Sequence, residues 1–99
     1  MRQLHQFMPA ALAEVLRKAP LTDDKVTFAW RAVVGAAMAR GTAVILDANV
    51  LRVRAESNAW RREVERSEML IRARLDVLLG RGVVRAIEVV GSGDPSQKK

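Results

Sequence analysis

Trp30-Arg31-Ala32-Val33-Val34-Gly35, two short apolar runs, and then Ser57-Asn58-Ala59-Trp60 mark out the segment that decides the fold. The two tryptophans of the chain stand on the helices at either end of this unit. Between them, residues 43–47 and 50–55 have strand composition and meet at Ala48-Asn49, a two-residue turn in which Asn tolerates positive φ. The first run is apolar on both faces, which predicts a central or covered strand. The second alternates, with Leu51, Val53 and Ala55 on one side and Arg52 and Arg54 on the other. One face of the hairpin therefore packs on helices while the other displays guanidinium groups.

Working outward, Leu4, Phe7, Met8, Ala11, Leu12, Val15 and Leu16 recur at helical spacing. Pro9 is tolerated in a first turn and Pro20 ends the run. Thr22-Asp23-Asp24 is a helix-start signal, with acids at the positive end of the dipole. The second helix carries Val26, Trp30, Val33, Val34, Ala37 and Met38 along one face. It passes through Gly35, read as a mid-helix site of close packing, and is capped by Gly41. Residues 58–79 predict one long helix with Trp60, Val64, Ser67, Ile71, Leu75 and Leu78 as its buried stripe. Gly80 and Gly82 end it, and residues 83–90 predict a third strand. A polar tail, residues 91–99, follows. The order helix, helix, strand, strand, helix, strand predicts an α+β domain over residues 1–90, a three-stranded sheet with helices on one face.

Ninety-nine residues make one domain with a single modest core. An apolar fraction of 49% beside 28% charged residues fits an ordinary folded chain. The absence of cysteine excludes disulfides and thiolate zinc sites. Neither a signal peptide nor a membrane span is readable, which predicts a cytoplasmic protein. Seventeen Lys plus Arg against eleven Asp plus Glu leave a formal charge of +6, and thirteen of the seventeen are Arg. Arg grips phosphates where Lys is a point charge; a GC-rich genome would equally give Arg over Lys, but not the excess over acids, which favours a polyanionic partner.

These residues resemble the DciA family: Trp30, Val33, Val34 and Gly35 on a helix, an apolar strand pair, Ser57 with Trp60 opening a helix, and an apolar strand after Leu79-Gly80. The likeness covers roughly residues 12–90. It implies a KH-like fold and a bacterial role in DNA replication, as a non-enzymatic adaptor that binds DNA and recruits or loads the DnaB-type replicative helicase near the nucleoid. Two departures stand out. Many relatives carry a long basic extension, whereas this tail holds only Lys98 and Lys99. The Gly-x-x-Gly loop with which KH domains clamp nucleotides is also missing, and Gly80-Arg81-Gly82 is too short to replace it.

The arginines are the candidate DNA contacts. Arg52 and Arg54 share a strand face with their charges about 7 Å apart, near the spacing of successive phosphates; Glu88 is a candidate compensating acid. Arg61, Arg62 and Arg66 crowd the first turns of a helix, where the dipole repels cations and Glu63 and Glu65 offset part of the cost, and Arg40 lies near the hairpin base. Trp30 and Trp60 are read as core in preference to base-stacking platforms. Leu4, Phe7 and Met8 are candidates for a protein-facing surface or for the core. His5 stands alone, Asp23-Asp24 is explained as a cap, and no Ser or Thr has an activating base. No enzyme, metal, cofactor or small-molecule substrate is indicated. The alternatives are a KH-like RNA-binding module attached to the ribosome and a protein-interaction domain whose charge serves solubility.

Overall fold

The computed structural model describes residues 8–91 of the chain. Leu4, His5 and Phe7 lie outside them, as does the expected tail after Gly91. The elements are α1 (Ala10–Lys18), α2 (Asp23–Val34), α3 (Ala36–Arg40), β1 (Thr42–Asp47), β2 (Val50–Ala55), α4 (Asn58–Arg66), α5 (Glu68–Leu79) and β3 (Ala86–Gly91). The sheet order is β1-β2-β3, with β1 antiparallel and β3 parallel to β2. This is the expected α+β layout, with a mixed three-stranded sheet.

The hairpin forms as read. Ala48 and Asn49 both take positive φ, 52° and 69°, which matches the twist of the flanking strands. Asn49 then fixes the third strand. Its Nδ2 donates to the carbonyls of Gly82 and Val83 at 3.3 and 3.1 Å, and its own carbonyl accepts from the Arg85 amide at 2.7 Å. The loop is thereby tied to the hairpin tip, and Val50 pairs with Ala86. The third strand accordingly starts at Ala86 and not at Val83; Val84 is buried in the core instead.

Leu51, Val53 and Ala55 face the helices and are buried, as are Val64 of α4 and Ile71, Leu75 and Leu78 of α5. β2 is the central strand and β1 an edge, so the expectation for the first strand is corrected. Its outward Ile45 is 66% exposed, because the helices cover a single sheet face. Trp30 is 2% exposed. Its Nε1 donates to Thr42 Oγ1 at 2.9 Å, and that hydroxyl donates to the Met38 carbonyl at 2.7 Å. The indole proton is thus satisfied inside the core, as a buried tryptophan requires.

Three helical readings change. Gly35 does not lie mid-helix: at φ 91° and ψ 163° it separates α2 from α3. A Cβ there would meet nothing within 4 Å, so the position needs glycine's backbone and not its small size. The long helix breaks at Ser67 (φ −98°, ψ 9°), which sends α4 along β2 and β3 and α5 along α1 and α2. In α1 the buried residue is Ala13, with Leu16 half-buried, while Ala11, Leu12 and Val15 of the expected stripe are exposed. A small residue lets this short helix sit close against α5. Met8 is core.

Thr22 caps α2 by accepting from the Lys25 amide at 3.1 Å. Lys25 itself is 7% exposed, and its Nζ donates to the carbonyls of Arg17 and Ala19 at 3.1 and 2.6 Å. The side chain of one helix so caps the C-terminus of the preceding one. Burial, followed by the nearby Arg17 charge, holds the Lys25 ammonium below its ordinary value of 10.5. The folded state therefore binds this proton less tightly than the unfolded chain. Below the depressed value the penalty is constant; it is relieved as pH rises from there toward 10.5. The stability of the native chain relative to Lys25→Met is expected to rise through that alkaline window, read as thermal midpoints against pH. A constant difference would remove the buried ammonium from the account.

Candidate nucleic-acid interface

Strand alternation carries Arg52 and Arg54 to the helix-free face of the sheet, and register decides their fates. Arg52 lies opposite Glu88 of β3, whereas Arg54 lies between Ala43 and Val90. Arg52 Nε accordingly meets Glu88 Oε1 at 3.0 Å, and its Nη1 meets Asp47 Oδ2 at 3.5 Å. Arg54 has no acidic partner across either strand, and Glu56, two residues on, forms no ion pair with it. On α4, Arg61 Nε reaches Glu65 Oε2 at 3.4 Å and Arg66 Nη2 reaches Glu63 Oε1 at 3.5 Å. Among the described residues, Arg40, Arg54 and Arg62 form no ion pair.

The six candidate arginines do not form one basic face bare of compensating anions. Arg52 and Arg54 point away from the helix layer. Arg62 and Arg66 point outward from it, on the side of α4 opposite buried Val64. Three of the six arginines hold a carboxylate. Exposed pairs of this kind contribute about 0–1 kcal/mol, so a phosphate could open them, but they cancel the local field.

What the fold does gather is one end of the sheet. Gly41, just before β1, accepts a hydrogen bond from the Glu56 amide at 2.9 Å, just after β2. A Cβ on Gly41 would overlap the Trp60 ring, including Cε2 at 2.9 Å, so the indole lies directly on this backbone. Ser57 caps α4 by accepting from the Trp60 amide at 3.2 Å. Arg40, Arg54 and the first turn of α4 with Arg61 and Arg62 consequently share this end. Arg66 is a turn further on, and Arg52 is two residues back along β2.

Sequence reasoning missed Arg31. With Arg40 it lines a cleft of about 140 Å³ beside β1, and it too has no ion pair among the described residues. Its only sequence signal was adjacency to Trp30; the break at Gly35 brings α3 back beside α2.

Trp60 is half-buried. Val34, Ala37, Met38, Ala59 and Glu63 join it around an open groove of about 400 Å³. A second cleft of about 210 Å³ shares Val34, Met38 and Glu63 and runs on to Leu70 and Arg74. Val33 is buried beneath it. Among the described residues, no three His, Cys, Asp or Glu side chains are grouped to hold a metal ion. No helix among them is long and apolar enough to cross a membrane.

Residues 3–89 match the family model described as Dna[CI] antecedent, DciA. A UPF0232 protein of Mycolicibacterium smegmatis is 35% identical over 82 residues, covering 82% of this chain and 42% of the relative. One from Mycobacterium ulcerans is 35% identical over 80 residues, 80% of this chain and 43% of that protein. A UPF0232 protein in the recF-gyrB intergenic region of Mycolicibacterium smegmatis is 34% identical over 82 residues, with coverages of 82% and 42%. The chain thus spans under half the length of these relatives. No solved structure matches it.

Proposed function

The chain belongs to the DciA family, and from that premise we propose that it is a non-enzymatic DNA-binding adaptor that recruits or loads the DnaB-type replicative helicase. The observation that carries the DNA half is the end of the sheet where Arg40, Arg54 and Arg62 form no ion pair among the described residues. Guanidinium groups so placed grip phosphates without reading bases, so the DNA is bound without sequence preference. This work belongs in the cytoplasm, at the nucleoid.

The helicase half falls to a different surface. At the α4–α5 junction Leu70 is half exposed and lines the cleft that adjoins the Trp60 groove, and its chain neighbour Met69 is 84% exposed. An exposed apolar rim on a groove is what a protein partner covers.

The test uses the full chain as bait in native cell extract, with and without nuclease. The helicase is expected among the retained proteins after nuclease, and less of it with the Met69→Glu/Leu70→Glu variant. Recovery of ribosomal proteins only before nuclease, with no helicase in either arm, would overturn the reading in favour of an RNA-bound module.

A further inference from the structure

The outer edge of β1 is open. A two-residue turn makes Asp47 and Val50 a hydrogen-bonded pair, and bonded and non-bonded pairs alternate from there. Ala43, Ile45 and Asp47 therefore bond to β2, a phase that the Glu56 amide bonded to the Gly41 carbonyl shares. The backbone N–H and C=O groups of Val44 and Leu46 point away from the sheet. They have no backbone partner among the described residues. β1 also lacks the usual protections of an edge: it carries no proline and no lysine, and its pairing with β2 runs without a bulge.

Beside this edge, on the helix side, lies the cleft lined by Arg31 and Arg40. Its volume of about 140 Å³ is below the roughly 300–1,000 Å³ of small-molecule sites; it has room for side chains. We propose that the β1 edge takes up an extended acidic segment of a partner protein as a fourth strand. Every second residue of that segment is a carboxylate turned toward Arg31 and Arg40. The residues between are apolar and lie beside Ala43 and Ile45 on the helix-free face.

Charge selects this occupant over the alternatives. A second copy pairing through its own β1 would turn Val44 and Leu46 toward the helix side and leave both guanidinium groups unanswered. Its Asp47 lies on the other face, engaged with Arg52. The chain's own tail offers one Asp against two Lys. A nucleic acid would answer the arginines but not the outward amides, which repeat at every second residue, as a peptide strand does. This inference goes beyond the DNA-binding reading and does not depend on it; Arg40 belongs to both surfaces, so the segment and DNA compete for that one residue.

The test is fluorescence anisotropy on the full chain with a labelled ten-residue peptide alternating Glu and Val. Replacing its Glu by Gln, or Arg31 by Glu in the protein, is expected to weaken binding about ten-fold or more, as loss of charge-assisted pairing would. N-methylation of one alternate set of peptide amides should abolish binding, while methylation of the other set is tolerated, because an edge strand bonds only every second residue. Binding of a dT oligonucleotide should fall far less than that of the peptide in Arg31→Glu, because the new carboxylate faces only Arg40 of the three DNA contacts; circular dichroism will verify the variant as folded. Three results would overturn the proposal: no binding of the Glu-Val peptide, equal tolerance of both methylated sets, or equal loss of peptide and oligonucleotide affinity in Arg31→Glu. The last would assign the cleft to the DNA path.

Discussion

Trp30→Ala is expected to cost about 3–5 kcal/mol, most of the stability of a domain this small. The indole is 2% exposed and fills the space between α2, β1 and α3. Its removal leaves a cavity and takes the donor away from Thr42. Urea denaturation followed by circular dichroism should show the midpoint collapse, or no cooperative transition at all. Trp30→Phe, which keeps the ring volume but loses the indole donor, should sit between the variant and the native chain. A native-like midpoint for Trp30→Ala would mean that the residue is not part of the core. The result also bears on function, since lost DNA binding in Trp30→Ala would report unfolding and not a missing stacking platform.

Neutralising Arg54 and Arg62 together is expected to weaken binding to a single-stranded dT oligonucleotide by about 2 kcal/mol, roughly thirty-fold at low salt. Both are exposed and form no ion pair among the described residues, so stability should move by no more than about 0.5 kcal/mol. The control is Arg52→Gln/Arg66→Gln, which removes the same formal charge from arginines that already face carboxylates. That pair should lose only a few-fold. Equal losses in both double variants would mean that DNA responds to net charge and not to the unpaired set.

The contrast between those two pairs was only half legible in the sequence. Alternation in β2 was enough to put Arg52 and Arg54 on one face, and Glu88 was recognisable as a compensating acid. Which arginine it would neutralise depends on β3 lying parallel to β2 with Glu88 opposite Arg52. That register is set by Asn49 holding the loop before β3, a contact made across more than thirty residues. The pairing of Arg61 and Arg66 was legible in part, because Glu65 and Glu63 lie four and three residues away on the same helix.

The same division holds for the fold. Local signals were sufficient where the deciding contact is local: the Thr22 cap, the Ala48-Asn49 turn, the Ser57 start of α4. They failed where the deciding contact is tertiary. Glycine is tolerated inside helices, so nothing local distinguishes Gly35 at φ 91° from a small residue in a packed helix. Two apolar stripes overlap on α1, and the closer approach through Ala13 chose the one that periodicity did not favour. Ile45 looked buried because β1 is apolar throughout, yet the helices cover only one side of the sheet.

The most direct measurement is the salt dependence of single-stranded DNA binding by the native chain. Three phosphate contacts, through Arg40, Arg54 and Arg62, at about 0.7 each, predict that log K falls against log salt with a slope near −2. In Arg54→Gln/Arg62→Gln the slope should shrink toward about −0.7. A slope near zero, or no binding at low salt, would contradict the assignment of this end of the sheet to DNA.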